Sequence, residues 1–247
     1  MISIKSEREI ELMREAGKKN IMTFKEIEKY LKPGITTKKL DTIVHDFVVK
    51  NGCVPSTLGY EGYPASVCIS VNDEVVHGIP GNRVIKDGDI VSVDLVISYK
   101  GYHADATRTY IIGDVPDDVR DLVENTKEAF YAGVACVKEG ARIRDISRAI
   151  EKYAHDHGLS VVEELVGHGI GSSMHEEPDV PNFDDNNMTK LKAGMTIAIE
   201  PMLNLGSKKV YLEDDDWTVR TMDGKPSAHY ENTVLVTKDG YEILTGE

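Results

Sequence analysis

The sequence has few cysteines and a shortage of positive charge, and each deficit excludes classes of protein. Its 247 residues include three cysteines, Cys53, Cys68 and Cys136, an odd number without metal-motif spacing. This pattern argues against a disulfide scaffold and favours a reducing compartment, so we expect a cytoplasmic protein. Lysine and arginine number 29 against 42 acidic residues, a formal charge of −13. A nucleic-acid surface is basic, and we therefore expect no nucleic-acid specificity.

Long apolar runs are also missing. No stretch approaches the roughly 20 apolar residues that a membrane span needs. The first seven residues lack a basic segment followed by an apolar stretch, so neither a membrane span nor a signal peptide is predicted. The length is sufficient for one large domain, or two small ones, with a sizeable core.

Apolar periodicity predicts two pairs of helices, each followed by strands. Ser6 and Glu9 form a capping box at the start of the first helix, and Lys32-Pro33-Gly34 stops it. The predicted helices cover residues 6–31, 37–51, 117–138 and 143–157. The apolar run 90–97 predicts a strand that returns over 103–112 after the turn residues Lys100-Gly101.

This repeated order indicates an internal duplication. An offset of 106 residues places Lys32-Pro33-Gly34 on Lys138-Glu139-Gly140 and Asp94 on Glu200. Other offsets match 103–107 with 229–233, and 76–79 with 167–170. We expect a single domain of residues 1–247 with half-domains of about 1–115 and 116–247, related by a pseudo-twofold axis. The alternatives are chance similarity of amphipathic helices and ordinary α+β packing without symmetry.

Four acidic residues lie in or beside predicted strands. Asp94 interrupts an apolar strand, and Asp105 lies on the other arm of the hairpin. A turn centred near Tyr99-Lys100 would place these two side chains directly opposite each other on one face. Glu200 ends the apolar strand 196–199, and Glu231 begins the next apolar segment.

These acids together favour a metal site. A buried carboxylate costs several kcal/mol unless it is paired or metal-bound. A single acid of this kind would more often be a solvated residue at a strand end, but four acids without a comparable number of basic neighbours would repel. Oxygen ligands with one imidazole suit divalent manganese, iron, cobalt or zinc. A carboxylate-bridged pair of ions about 3.5–4 Å apart is a known catalytic arrangement.

Three histidines are candidates for the same site. His168 lies between glycines in Gly167-His168-Gly169-Ile170-Gly171, and glycines let the backbone approach closely. His175 precedes Glu176 and is a candidate hydrogen-bond donor or proton shuttle. His77 lies in the matching turn of the first half. A lone histidine is more often structural, and we assign His45, His103, His155, His157 and His229 to structural or surface positions.

The chain resembles the type I methionine aminopeptidases, metallopeptidases with the pita-bread fold. The resemblance covers nearly the full length and is carried by several motifs together. These are residues 59–64 (GYEGYP), 66–72 (SVCISVN), 77–80 (HGIP), Asp94, Ala104-Asp105, 167–171 (GHGIG), His175-Glu176, Ile199-Glu200-Pro201 and Glu231-Asn232-Thr233. The fold expected from this resemblance is α+β, with pseudo-twofold half-domains and a central antiparallel sheet covered by helices. The short connection from His175 to Glu200 resembles the bacterial form.

The resemblance implies a set of site residues. Two divalent ions, of cobalt, manganese, iron, zinc or nickel, would be held by Asp94, Asp105, His168, Glu200 and Glu231. Asp105 and Glu231 would bridge the ions. His77 and His175 would bind substrate or stabilise the transition state, and Glu200 would relay a proton. The methionine side chain would contact Tyr60, Tyr63, Cys68, Met174 and Trp217. Met174 stands where many bacterial members carry phenylalanine, and Thr57 where some carry cysteine.

The implied activity is removal of the N-terminal methionine from nascent polypeptides with a small second residue. We expect the protein to act in the cytoplasm as a monomer, and contact with the ribosome is compatible with this activity. One alternative is a related peptidase that cleaves Xaa-Pro bonds, although such enzymes usually carry an extra N-terminal domain. Another is a non-catalytic binding module on the same fold. Fold alone does not separate these options.

Overall fold

Four helices pack against a large antiparallel sheet in the computed structural model, which describes residues 2–246. The helices are α1 Glu7–Ile27, α2 Thr37–Lys50, α3 Asp117–Val134 and α4 Ile143–Asp156. The predicted capping box is present, because the Glu9 carboxylate accepts hydrogen bonds from the backbone N–H and the hydroxyl of Ser6, each at 2.7 Å.

Helices α1 and α3 end about four residues before their predicted ends. After Ile27 the chain continues in turns, with the Tyr30 N–H bonded to the Ile27 carbonyl at 2.8 Å. After α3, the Val137 N–H bonds to the Val134 carbonyl at 2.9 Å. Leu31 and Val137 still pack against the core. Apolar spacing extended the prediction too far, because turn residues can be buried as well as helical ones.

The strands form three sheets. The largest has nine strands, with the order β1-β4-β5-β14-β9-β7-β8 and with β2 on β4 and β15 on β14. The smaller sheets have the orders β13-β10-β6 and β11-β12-β3. The strands are β1 Val54–Pro55, β2 Cys68–Val71, β3 Glu74–Val76, β4 Ile90–Tyr99, β5 Tyr102–Ile111, β6 Ser160–Val161, β7 Gly167–Gly169, β8 Glu176–Val180, β9 Thr196–Ile199, β10 Met202–Asn204, β11 Val210–Leu212, β12 Val219–Thr221, β13 Ser227–His229, β14 Glu231–Val236 and β15 Tyr241–Ile243.

Each pair of helices covers its own half of the central sheet. Residues of α1 and α2, including Phe24 and Leu40, share a core with Val93 and Leu95 of β4. The helices α3 and α4 share a second core with β9 and β14. Because side chains alternate along a strand, Asp94 faces away from the helices while Val93 and Leu95 face them. The opposite face of the sheet is therefore where the acids gather.

The offset of 106 residues is also present in the backbone. The isolated bridge between Thr36 and Val84 has its counterpart between Arg142 and Lys190. Gly52 and Gly158 both have a φ of +71°, and Gly88 and Gly194 both have a φ of +88°. Strands β5 and β14 pair at the centre of the sheet, with β4 and β9 on their outer sides. These findings agree with the pseudo-twofold arrangement, while the half-domain boundaries stay a prediction.

The hairpin register differs from the prediction by two residues. Tyr99 pairs with Tyr102, so the turn lies at Lys100-Gly101, one residue beyond the predicted centre. Lys100 and Gly101 both have positive φ, of 50° and 83°. Asp94 is therefore opposite Thr107, and Asp105 is opposite Val96. The two acids share a face but lie diagonally, and the prediction of direct opposition was wrong because turn conformation sets the register.

Within residues 2–246, the structure contains no helix with the length and apolar character of a membrane span.

Candidate active site

A single cavity of about 650 Å³ brings the predicted site residues together. It is bordered by the sheet face opposite the helices, the turn after β3, the loop between β7 and β8, and the β11–β12 connection. Every candidate named above lines it: Tyr60, Tyr63, Cys68, His77, Asp94, Asp105, His168, Met174, His175, Glu200, Trp217 and Glu231. Residues from both halves of the chain therefore meet in one place.

Three acids and one threonine form a row across the neighbouring strands β4, β5, β14 and β9, and Asp105 lies two residues from that threonine on β5. Thr107 of β5 pairs with Asp94 on one side and Glu231 on the other. Its hydroxyl donates a hydrogen bond of 2.8 Å to Glu231 Oε2. Ile199 pairs with Asn232, which places the following residue, Glu200, beside Glu231. Directly paired residues share a face, so these carboxylates point into the same cavity.

His168 meets the acids from β7. Its Nε2 lies 3.5 Å from Glu200 Oε1 and 3.7 Å from Asp105 Oδ2. Its Nδ1 lies 2.9 Å from the Gly169 carbonyl and donates a hydrogen bond there, which leaves Nε2 as the acceptor. Potential ligand atoms of Asp105, His168 and Glu231 all lie within 4.8 Å of one another.

The electrostatics of this cluster fit bound cations. Burial raises the pKa of Asp94. Burial and the negative charge of Glu231 together raise the pKa of Asp105 and of Glu200. Oxygens of Asp94, Asp105 and Glu231 are buried without a hydrogen-bond partner. No lysine or arginine occurs among the described residues that line the cavity. Buried oxygens without partners and one neutral imidazole are a donor set that suits divalent metal ions.

Two further histidines lie at the edge of the cluster. The His175 ring makes an edge-on contact with His168 at 4.3 Å between centroids, and its Nδ1 lies 2.9 Å from the Tyr60 hydroxyl. His77 follows β3 with a φ of +58°, an uncommon value for a residue with a side chain. Burial lowers the pKa of His77 to about 4, so its ring is neutral near pH 7.

An apolar pocket adjoins the acids. The rings of Tyr63 and Trp217 meet edge to face at 5.1 Å, and the Tyr63 hydroxyl donates to the Gly78 carbonyl at 2.9 Å. Cys68 pairs with Asp94 across β2 and β4. Burial raises the pKa of the Cys68 thiol, so it contributes a neutral, polarisable surface. Met174 lines the same cavity from the loop before β8.

Comparison with known proteins identifies the family. The sequence pattern described as "Metallopeptidase family M24" matches residues 11–238. The chain belongs to metallopeptidase family M24. Methionine aminopeptidase 1 of Bacillus subtilis is 48% identical to this M24 chain over 246 residues, 99% of each protein. The family membership predicted from the motifs is confirmed.

Solved structures confirm the predicted fold. Methionine aminopeptidase from Rickettsia prowazekii superposes with a TM-score of 0.98 at 40% identity, covering all of both chains. Prolidase from Pyrococcus furiosus superposes with a TM-score of 0.79 at 23% identity, covering 99% of this M24 chain and 65% of the prolidase. At that identity the prolidase likeness shows the fold alone.

One residue of the site in this M24 chain was missed by sequence reasoning. His229 was assigned to a structural or surface position, yet it lines the cavity with its Nε2 3.7 Å from Glu200 Oε2. It is 2% exposed, and neither ring nitrogen has a hydrogen-bond partner. Its position two residues before Glu231 is the signal that could have found it. Its repeat counterpart His103 instead contacts the Gly171 carbonyl and is absent from the described cavity lining.

Proposed function

We propose that this chain is an aminopeptidase that removes the N-terminal methionine from polypeptides with a small second residue. One observation carries the proposal: buried acids, a histidine and an apolar pocket occupy one cavity. A hydrolytic site and a pocket for an unbranched apolar side chain are therefore adjacent. The names of the similar proteins from Bacillus subtilis and Rickettsia prowazekii support the same activity.

The proposed cofactor is a pair of divalent ions. Their ligands would be Asp94, Asp105, His168, Glu200 and Glu231. When bound, such ions lower the pKa of water toward neutrality and stabilise negative charge on a carbonyl oxygen. The donor set is compatible with cobalt, manganese, iron, zinc or nickel, and availability as well as affinity decides among them.

The chain's own residues supply proton transfer and orientation. The Glu200 side chain, 13% exposed, lies beside His168 and His229, and its carboxylate is proposed to accept a proton and then release it to the leaving amine. The Tyr60 hydroxyl lies 2.9 Å from His175 Nδ1, and in the tautomer in which this hydroxyl donates, the Nε2–H is free to donate a hydrogen bond to the developing oxyanion. His77, placed by its strained backbone, is proposed to hold the substrate backbone.

The α-amine and the side chain of the N-terminal methionine would be recognised by different parts of the cavity. The positively charged α-amine is attracted by a lining that contains many acids and, within the described residues, no lysine or arginine. The methionine side chain would contact Tyr60, Tyr63, Cys68, Met174 and Trp217. Contacts of the methionine thioether with aromatic rings or with other sulfur atoms are individually weak but favourable. They suit selection of methionine by its shape and polarisability.

A direct test uses peptides and metal restoration. The chain is stripped with a chelator, each metal is restored in turn, and Met-Ala-Ser is compared with an Xaa-Pro peptide. We expect no hydrolysis without metal and cleavage of Met-Ala-Ser with it. Preferential cleavage of the Xaa-Pro peptide would instead favour the prolidase-type activity. No hydrolysis with any metal would favour a non-catalytic module.

The cellular setting is also a proposal. The cysteine content supports a cytoplasmic location. The proposed substrates are nascent chains, which the chain would meet at the ribosome. A monomer is proposed because a single chain supplies every site residue. Sedimentation of the purified chain and co-sedimentation with ribosomes test these two points separately.

A further inference from the structure

Lys5 is an unusual lysine because its side chain is almost completely buried. The side chain is 3% exposed and its Nζ lies 2.6 Å from Glu176 Oε2, whose own side chain is 14% exposed. The Lys5 backbone N–H is fixed to the Gly194 carbonyl at 2.8 Å, and Ser6, the next residue, begins the cap of α1. The ammonium group thus extends from a well-anchored segment.

The partner carboxylate holds the loop that carries His175. Glu176 Oε1 accepts hydrogen bonds from the Ser173 backbone N–H at 3.2 Å and from the Ser172 hydroxyl at 3.5 Å. This four-residue loop, 172–175, presents Met174 and His175 to the cavity. The ammonium fixes one carboxylate oxygen of Glu176 while the loop is bound to the other.

Gly171, the last glycine of the GHGIG motif, leaves space for this pair. A Cβ at Gly171 would lie 2.5 Å from Lys5 Cε and 2.7 Å from Glu176 Oε1. Neither metal coordination nor the methionine pocket requires a glycine at position 171. The residue's small size is accounted for by the buried ion pair, and the Gly171 carbonyl is itself held by the His103 N–H at 2.8 Å.

We propose that Lys5 and Glu176 are positioning residues for the reaction, which set the place of His175 through the 172–175 loop. The inference rests on the proposed role of His175. Glu176 also lines the cavity, but Lys5 engages one of its carboxylate oxygens and the 172–175 loop engages the other. We therefore assign it no contact with substrate: the ion pair holds the loop so that the His175 ring stays between Tyr60 and His168. Hydrogen-bond donors to an oxyanion are effective only when their position is fixed beforehand, and an error of about 1 Å can cost about 100-fold in rate.

The first experiment compares Lys5→Met with a matched control, Arg14→Met. Arg14 also ties the N-terminal region to the body of the protein, through an ion pair of 2.8 Å with Glu242, and it does not line the cavity. With metal-loaded enzyme and Met-Ala-Ser, we expect Lys5→Met to lower kcat at least about tenfold, with metal content unchanged. Arg14→Met should keep the wild-type kcat. A wild-type kcat for Lys5→Met would overturn the inference, as would a loss explained by missing metal.

The second experiment separates positioning from general support of the fold. In a His175→Ala background, Lys5→Met should cause no further loss of kcat, because the group it positions is already absent. The same fold-loss in both backgrounds would contradict the proposal. His175→Ala by itself tests the proposed function: if it retains full turnover, that function is wrong in its assignment of His175, whatever Lys5 does.

A double variant covers the case in which Lys5→Met does not fold, since it leaves the Glu176 carboxylate without its partner. Lys5→Met with Glu176→Gln removes both charges and keeps similar volumes. A folded double variant with lowered kcat supports the positioning role, whereas normal kcat overturns it.

Discussion

Asp94 and Asp105 lie on neighbouring strands, two residues out of register, and both face the same cavity. Because of this diagonal register, Thr107 lies opposite Asp94, and the Thr107 hydroxyl donates a hydrogen bond to Glu231. Like charges directly opposite each other in a sheet are destabilising. The diagonal placement therefore separates the two carboxylates while keeping both available to cations between the two halves of the sheet.

Replacing Asp105, one of the proposed ligands, is expected to abolish hydrolysis without unfolding the chain. Asp105→Asn keeps the volume but removes one of the charges on which metal binding depends. We expect turnover of a Met-Gly-Met peptide to fall at least about 100-fold, as for loss of important groups at metal sites. Far-ultraviolet circular dichroism should be unchanged. A variant with normal turnover would refute the ligand assignment of Asp105.

The metal-free protein should lose stability as pH rises. Burial raises the pKa of Asp94 to about 7 and that of Glu231 to about 8, above their values in an unfolded chain. Below pH about 6.5 the buried His77, His168 and His229, whose pKa values are lowered, act in the opposite direction because the unfolded chain protonates them. Above that pH the histidines are neutral in both states and the folded protein binds more protons through its acids than the unfolded one, so stability falls between pH about 7 and 8.5. Each pKa unit corresponds to about 1.4 kcal/mol, so a loss of a few kcal/mol is expected.

Denaturant unfolding at pH 7 and pH 8.5 with chelator present measures this loss. Saturating metal should remove it, because metal binding favours the deprotonated ligands. If the chelated protein is equally stable at both pH values, the buried acids are not the source of the instability.

Substitution of His175 should separate catalysis from metal binding. The ring contacts His168 edge-on but is bonded to Tyr60. We expect His175→Ala to retain its metal content and to lose about 100-fold in kcat, the loss typical of one oxyanion donor. Metal analysis and kinetics on the same preparation check this. A collapse of metal content with an unchanged rate per bound metal would assign His175 to the ligands instead.

Substitution of Trp217 should affect recognition of the methionine side chain. Trp217 packs edge to face on Tyr63 at one wall of the apolar pocket. We expect Trp217→Ala to raise KM for Met-Ala-Ser by about tenfold, since a lost apolar contact in such a pocket is worth about 1–3 kcal/mol. Tyr211→Ala, at an exposed position of the same hairpin, is the matched control and should leave KM unchanged. If the two variants have equal KM values, Trp217 does not contribute to binding of the methionine side chain.

The sequence by itself determined which chemistry was available and which helices and strands would form. Asp94 inside an apolar strand, and His168 between glycines, pointed to a metal centre because such groups are costly to bury otherwise. The capping box at Ser6 and Glu9 and the apolar periodicity of α2 are local signals, and local signals survive in isolation from the fold.

The tertiary structure alone decided the features that depend on contacts between distant segments. The diagonal of Asp94 and Asp105 follows from the conformation of one turn. The burial of His229 beside Glu200, and the ion pair between Lys5 and Glu176 across 171 residues, depend on how sheets and loops pack together. No local pattern encodes such contacts, because the free energy that stabilises them is gained only when both halves of the chain have folded.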